Sequence, residues 1–132
     1  MSVEPIPNHV LRSLSPTLFR TFETGATRDA DTNKHDYEGF LSPLVLERYG
    51  AYMHQHRRQP NGELRDSDNW QKGIPLAQYI KSHWRHSLDW WKLHRGYMAQ
   101  ASLEDTLCAV IFNAMGYLHE VLKQKKEASS VD

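Results

Sequence analysis

The sequence predicts an all-α fold, a compact helical domain with three principal helices and an irregular N-terminal arm. Apolar residues recur at three- and four-residue steps over three long stretches, which is the spacing of one helix face. Serine or proline stands at the start of each stretch, where both residue types favour helix initiation. The 132 residues are 39% hydrophobic, enough for one modest core without disulfides. Residues 1–132 are therefore predicted to form a single domain.

The arm comprises residues 1–40 and precedes the first principal helix. It contains prolines, glycines and one brief apolar cluster, which consists of Leu14, Leu18, Phe19 and Phe22. At most one short helix is expected there. Ser42 and Pro43 then predict a helix that runs to about His56. The polar residues 57–74 follow as a loop, and a loop of that length is uncommon in a compact domain unless it is functional or mobile.

The second and third principal helices follow this loop. Pro75 predicts the start of a helix that ends near Arg95, because Gly96 can adopt the left-handed conformation that terminates a helix. Ser102 predicts an N-cap for the third helix, which is expected to end near Lys123. The remaining residues, 124–132, are charged and small and lack an apolar face. They are predicted to be a frayed tail.

The third helix has two distinct sides in projection. One side is an apolar stripe that predicts a central, buried helix: Leu103, Leu107, Val110, Ile111, Ala114, Tyr117, Leu118 and Val121. The other side is a strip of polar and small residues, where a second surface is expected to pack or bind: Asp105, Ala109, Asn113, Gly116 and Glu120. The apolar surfaces of the second and third helices are wider than one three-helix core covers, so a homo-oligomer, most simply a dimer, is predicted.

Composition argues against several classes of function. The formal net charge is zero, which makes nucleic acid an unlikely partner for lack of a strong attraction to phosphate backbones. No membrane-spanning run and no leader pattern is found in the sequence, so no membrane association and a cytoplasmic location are expected. The single cysteine, Cys108, excludes an internal disulfide and is predicted to be a small core residue. His83 and His94 lie within an apolar arc, as hydrogen-bonded structural histidines or as part of a ligand pocket.

Several short segments occur in an order that is similar to a known family. They are Gly25 to Asp29, Lys34 with Asp36-Tyr37, Asn69 to Pro75 (NWQKGIP), Arg85-His86, and Asp105 with Asn113. Together they resemble the dATP/dGTP diphosphohydrolase domain found in many phages, over about residues 25–120. The resemblance implies a relation to MazG-like all-α nucleotide pyrophosphatases. Such enzymes use Mg²⁺ to cleave a purine nucleoside triphosphate into monophosphate and pyrophosphate, here in the cytoplasm of a host if the chain is encoded by a phage.

The same resemblance implies roles for individual residues. Catalysis is assigned to Asp105, His86 and Glu104, and the Mg²⁺ ligands would be Asp105, Glu104 and Asp89. Carboxylate oxygens are the ligands that this hard cation prefers. The nucleotide would be bound by amide, aromatic and basic side chains, namely Arg28, Lys34, Asn69, Trp70, Lys72, Arg85 and Asn113. Trp70 could stack on the purine or seal the loop against the core.

Two other functions remain open at this stage. MazG enzymes carry carboxylate pairs where this chain has His86-Ser-Leu-Asp89 and Asp105-Thr-Leu-Cys108. The first alternative is therefore a non-catalytic protein of the same fold that binds and sequesters a nucleotide or a nucleotide-like signal. The second is a structural helical protein that binds another protein through its aromatic and small-residue surfaces.

Overall fold

The computed structural model describes residues 19–30 and 33–130, and it confirms an all-α fold with three principal helices. The chain divides into two compact units, Met1–Ser42 and Pro43–Asp132. The helices and strands in chain order are β1 (Phe19–Thr21), β2 (Thr27–Asp29), α1 (Tyr37–Phe40), α2 (Pro43–Gln55), α3 (Leu76–His94) and α4 (Leu103–Ser130). A 3-10 turn, Asn69–Lys72, lies between α2 and α3.

The first unit contains a β-ribbon that the sequence did not predict. Strands β1 and β2 pair antiparallel, with Arg20 opposite Arg28. Gly25 closes the turn between them with a φ of 88°, a conformation that side-chain-bearing residues rarely adopt. The short helix α1 follows, and the Asp36 carboxylate accepts a hydrogen bond from the Gly39 amide at 3.0 Å. Of the predicted apolar cluster, the structure describes Phe19 and Phe22, whereas Leu14 and Leu18 lie outside the described residues.

Helices α2 and α3 begin and end close to where the sequence places them. Helix α2 begins at Pro43 and ends at Gln55. Helix α3 ends at His94, and Gly96 follows with a φ of 83°. The Tyr97 amide donates to the Lys92 carbonyl at 2.8 Å, which is the six-to-one bond of a Schellman motif. The glycine stop predicted for this helix is therefore confirmed.

Helix α4 begins as predicted but is longer. The Ser102 hydroxyl accepts a hydrogen bond from the Asp105 amide at 3.1 Å, so the N-cap is confirmed. The helix continues to Ser130 rather than ending near Lys123, and the prediction of a frayed tail was wrong up to that residue. Glutamine, lysine, glutamate and alanine dominate this segment and have high intrinsic helix propensity, so the helix continues without an apolar face.

Helix α4 buries the polar and small strip, where a second surface was expected to pack or bind, more deeply than the apolar stripe that was predicted to be the core. Its buried residues are Thr106, Cys108, Ala109, Asn113, Gly116 and Glu120, which includes most of the polar and small strip. Leu118, from the predicted core stripe, is 56% exposed. The physical reason is close approach, because small side chains allow the partner helix α3 to come near enough for the Tyr79 ring to lie against Gly116. Tyr79 is only 2% exposed.

Helix α3 runs antiparallel to α4 and also leaves an apolar row outside. Tyr79 lies against Gly116, and further along α3 His86 shares a cavity with Ala109, so the contacts run in opposite directions along the two helices. The outward row of α3 consists of Ile80, Trp84, Leu88 and Trp91. Each member is exposed, and Trp84 is 67% exposed.

Among the described residues, no helix is long and apolar enough to span a membrane.

Candidate functional site

The second unit contains a cavity of about 480 Å³ between the end of α2, the loop that follows it, α3 and α4. Its volume lies within the range of sites that bind small molecules. Four residues assigned to the site from the sequence line it together: Asn69, Trp70, His86 and Asn113. The cavity therefore brings together these four predicted site residues and not the others.

Trp70 forms one wall of this cavity. The indole belongs to the 3-10 turn and packs edge-on against Phe112, with ring centroids 6.1 Å apart, and against His119 at 4.9 Å. Lys123 donates to the Gln71 carbonyl at 3.4 Å, which holds the same turn on α4. Trp70 thus seals the loop against the helix, which is one of the two roles predicted for it, and it also lines the cavity.

Asn113 supplies a buried amide to the same cavity. It is 5% exposed, and its Nδ2 donates to the Ala109 carbonyl at 3.0 Å. This bond fixes the orientation of the amide and leaves its oxygen and its second N–H for a ligand. Asn113 also lines a second, mainly apolar groove of about 360 Å³ between α3 and α4.

Two arginines that the sequence analysis did not assign to the site line the cavity near the end of α2. They are Arg57 and Arg65, which we call the basic pair. The Arg57 Nε donates to the Arg65 carbonyl at 2.7 Å, and an Arg65 Nη donates to the His56 carbonyl at 3.1 Å. The Arg65 amide also donates to the Arg57 carbonyl at 2.7 Å. These bonds hold both side chains against one short stretch of backbone.

Two titratable groups of the cavity have a perturbed pKa: burial raises the pKa of Tyr52, and His86 is shifted in the opposite direction. Burial lowers the pKa of His86 below its usual range, and the charges of Arg85, His56 and His83 lower it further, whereas Asp89 raises it. The balance favours the neutral imidazole at neutral pH. A neutral imidazole in a cavity can accept a proton from a bound hydroxyl group or water.

Glu104 and Asp105, the acids that the resemblance assigns to catalysis and metal binding, both bind Arg48. The Arg48 Nε lies 2.7 Å from Glu104, and an Arg48 Nη lies 2.6 Å from Asp105. The two carboxylates raise the pKa of Arg48. Neither acid lines the cavity, and Asp89 is likewise absent from its walls.

The donor set does not fit a resident Mg²⁺. One oxygen of Glu104 and one of Asp105 accept hydrogen bonds from Arg48, whose positive charge opposes a cation there. Within residues 19–30 and 33–130, no three histidine, cysteine, aspartate or glutamate side chains are close enough to hold a metal ion. Asp66 is the carboxylate that lines the cavity. We therefore derive no step through a protein-bound magnesium ion.

None of the basic residues implied by the resemblance is among the residues that line this cavity. Arg28 lies in β2 and Lys34 precedes α1, both within the first unit, whereas the cavity is formed by the second unit alone. Lys72 is exposed on the 3-10 turn. Arg85 is exposed on α3, where it donates to the Ser82 hydroxyl at 2.9 Å. Of the residues that line the cavity, the resemblance implies Asn69, Trp70, His86 and Asn113, and neither arginine.

The missed residues had a signal in the sequence. Arg57 was interpreted only as part of the turn that ends the first principal helix, and Arg65 as part of a polar loop. The unusual length of that loop indicated a functional segment, and its cluster of arginines was the available clue to a site. The sequence could not show that Arg58 pairs with Leu64, which folds the loop back on itself.

No family model, no curated protein and no solved structure matches this chain.

Proposed function

We propose that the chain binds a purine nucleotide in the cavity between α2, α3 and α4. The observation that supports this proposal is the convergence of Asn69, Trp70, His86 and Asn113 on one cavity. These residues are far apart in the sequence, and the resemblance groups them for a single ligand. A cavity of about 480 Å³ is of a size suited to such a ligand.

The walls supply the chemistry that a nucleotide needs. Trp70 and Phe112 offer aromatic surface for a planar base, which gains from stacking and from burial. The amides of Asn69 and Asn113 can bond the edge of a purine, whose ring nitrogens and exocyclic groups are donors and acceptors. The basic pair provides positive charge on the same cavity. Binding requires no carboxylate cluster, so it is the function that the geometry supports best.

Hydrolysis to a nucleoside monophosphate and pyrophosphate is the second candidate function. The observation that favours it is His86, because its lowered pKa leaves the ring neutral and able to accept a proton from water beside a bound phosphate. Turnover by this route would depend on His86 and not on Glu104 or Asp105. His86→Gln would then abolish product formation while nucleotide binding persisted.

One experiment separates binding from hydrolysis. The protein is titrated with dATP, dGTP, dCTP and deoxyadenosine by calorimetry, with and without added Mg²⁺, and each mixture is then chromatographed. Unchanged nucleotide that binds in the micromolar range supports a binding protein, whereas monophosphate and pyrophosphate support the hydrolase. No heat of binding and no product with any nucleotide would overturn both candidates.

A matched pair of tryptophan variants tests the location of the site. Trp70→Ala removes a wall of the cavity, so nucleotide affinity should fall by about tenfold or more. Trp91→Ala removes an exposed tryptophan whose described ring contact is with Arg95, so affinity should not change. Circular dichroism of both variants checks that the helices remain. Equal affinities of the two variants would place the nucleotide elsewhere.

We further propose that the protein is a homo-oligomer, most simply a dimer. The support is the outward apolar row of α3 together with an outward apolar row on α4, formed by Leu118 and Leu122. Ile80 and Leu118 line one apolar groove. Water contact along such rows is unfavourable, and a second copy would cover them.

A further inference from the structure

We propose that the basic pair, Arg57 and Arg65, binds the phosphate groups of the ligand, while the aromatic and amide walls bind its base. This inference rests on the proposed nucleotide function and assigns the phosphate end of that ligand. Neither arginine belongs to the set that the family resemblance implies. Two features support it: the backbone holds both guanidinium groups in place, and neither forms an ion pair within the described residues.

The backbone holds the basic pair in position before any ligand arrives. The Arg57 Nε is bonded to the Arg65 carbonyl at 2.7 Å, and an Arg65 Nη is bonded to the His56 carbonyl at 3.1 Å. The loop between them is closed by the pairing of Arg58 with Leu64 and by the bond from the Gln59 amide to the Glu63 carbonyl at 2.8 Å. Fixed side chains lose little conformational entropy when they bind a ligand.

Each arginine retains donors for an anion. The Arg57 Nε donates to a backbone carbonyl, whereas its two Nη groups have no hydrogen-bond acceptor within the described residues. Arg65 uses one Nη, which leaves its Nε and its other Nη. Guanidinium groups present N–H donors in a planar fork that matches phosphoryl oxygens. Two such forks on one cavity suit an anion with several oxygens better than a single carboxylate.

The positive charge of the basic pair is not neutralised by an ion pair. Within the described residues of the second unit, the ion pairs are those of Arg48 with Glu104 and Asp105. Neither Arg57 nor Arg65 forms an ion pair with a carboxylate there. Asp66 lines the same cavity and opposes an anion, but the two arginines exceed its charge. The C-terminal carbonyls of α2 also disfavour an anion, and the bond from Arg65 to the His56 carbonyl offsets part of that field.

The test measures the contribution of phosphate to affinity in charge-neutral variants. Calorimetry compares dATP, dAMP, deoxyadenosine and inorganic pyrophosphate on the wild type, on Arg57→Gln and on Arg65→Gln. Arg58→Gln is the matched control, because it removes the same charge from the neighbouring position and Arg58 does not line this cavity. Circular dichroism and deoxyadenosine affinity show whether each variant keeps its fold and its base site.

We expect wild-type affinity to increase from deoxyadenosine through dAMP to dATP, and pyrophosphate to bind weakly. Arg57→Gln and Arg65→Gln should each weaken dATP by about tenfold, abolish pyrophosphate binding and leave deoxyadenosine unchanged. The dependence of dATP affinity on salt should also become shallower, because fewer charges are screened. Arg58→Gln should match the wild type in all four titrations.

Each other outcome decides a separate point. If both basic-pair variants keep the wild-type ratio of dATP to deoxyadenosine affinity, the phosphate assignment is overturned while the nucleotide function stands. If the wild type binds pyrophosphate through the basic pair but binds no nucleoside or nucleotide, the nucleotide function fails and the anion site stands. If neither pyrophosphate nor any nucleotide binds, both proposals fail.

Discussion

The aromatic ring of Tyr79 lies directly against Gly116, where the first turn of α3 packs on α4. A β-carbon at residue 116 would overlap the ring and the hydroxyl of Tyr79. Gly116→Ala should therefore force the helices apart, and overpacking of this kind costs about 1–3 kcal/mol. The gain in helix propensity recovers about 0.5–1 kcal/mol. We expect a net loss of about 1–2 kcal/mol in the free energy of unfolding by urea.

Gly50 provides the matched control for this prediction. It also lies within a helix, but a β-carbon added there meets nothing within 4 Å. Gly50→Ala should stabilise the protein by about 0.5–1 kcal/mol through helix propensity alone. Opposite signs for the two variants in parallel urea titrations are the expected result. A stabilising Gly116→Ala would show that Tyr79 moves aside at little cost.

The hydroxyl of Tyr79 is expected to contribute nothing favourable to stability. It is buried and has no hydrogen-bond partner within the described residues, and burial raises the pKa of Tyr79, to which the charge of Glu120 adds. An unpaired buried hydroxyl loses its bonds to water without replacement. Tyr79→Phe should leave the free energy of unfolding unchanged or raise it by up to about 1 kcal/mol. A loss of more than about 1 kcal/mol would reveal a partner for the hydroxyl.

Asp105→Asn tests the catalytic role that the family resemblance assigns to this acid. In the structure Asp105 pairs with Arg48 and is not among the walls of the cavity. We therefore expect nucleotide affinity to stay within about threefold of the wild type. The Ser102 cap also persists, because it bonds the backbone amide of residue 105. A fall in affinity or turnover of tenfold or more, with helix content unchanged, would instead support the role implied by the resemblance.

The helices could be predicted from the sequence because their ends depend on local chemistry. Pro43, Ser102 and Gly96 act within one turn of their own positions, and all three predictions match the structure. The β-ribbon was missed because its strands are three residues each. Such short segments show no alternation that a sequence pattern could reveal. The pairing that stabilises them is a tertiary property.

Which side of α4 is buried could not be predicted from hydrophobicity alone. The apolar stripe predicted a core, yet the helix buries Asn113, Gly116 and Glu120. Close approach of Tyr79 decides the packing, and it depends on a small residue opposite a large one rather than on the count of apolar residues.

The residues that line the cavity could be predicted only in part. Asn69, Trp70, His86 and Asn113 followed from the resemblance, whereas Arg57 and Arg65 came together only through the fold of the loop.

The affinity for phosphorylated ligands should rise as the pH falls, through His86. Burial and then nearby positive charges lower the pKa of this histidine in the free protein. A bound phosphate favours the protonated ring, so the pKa is higher in the complex. Affinity then increases between the two pKa values and is constant outside them. We expect tighter dATP binding at about pH 5.5 than at about pH 8 by calorimetry.

His86→Gln isolates this effect from the other groups near the cavity. Arg85, His56, His83 and Asp89 also influence the ring, and they remain in the variant. The pH dependence of dATP affinity should become smaller in His86→Gln. The lowered pKa also affects stability. As the pH falls below about 6.5, the unfolded chain binds more protons at this histidine than the folded chain does. The free energy of unfolding should therefore decrease in acid, and it should decrease less in the variant. An identical pH profile for both proteins would remove His86 from the phosphate environment.

The outward rows of α3 and α4 predict a dimer that can be tested directly. Ile80, Trp84, Leu88 and Trp91 follow each other at helical steps and are exposed, and Ile80 lines the same groove as Leu118. Two antiparallel helix pairs that face each other through such rows would form a four-helix arrangement about a two-fold axis.

Sedimentation at micromolar concentration should show a dimer. Trp84→Glu and Leu118→Glu should each shift it to monomer, because a buried charge at a dimer interface is unfavourable. Met98→Glu is the control, since Met98 is 88% exposed and lies outside both rows. A wild-type monomer at that concentration would refute the prediction, and a dimer that persists in both glutamate variants would place the interface on another surface.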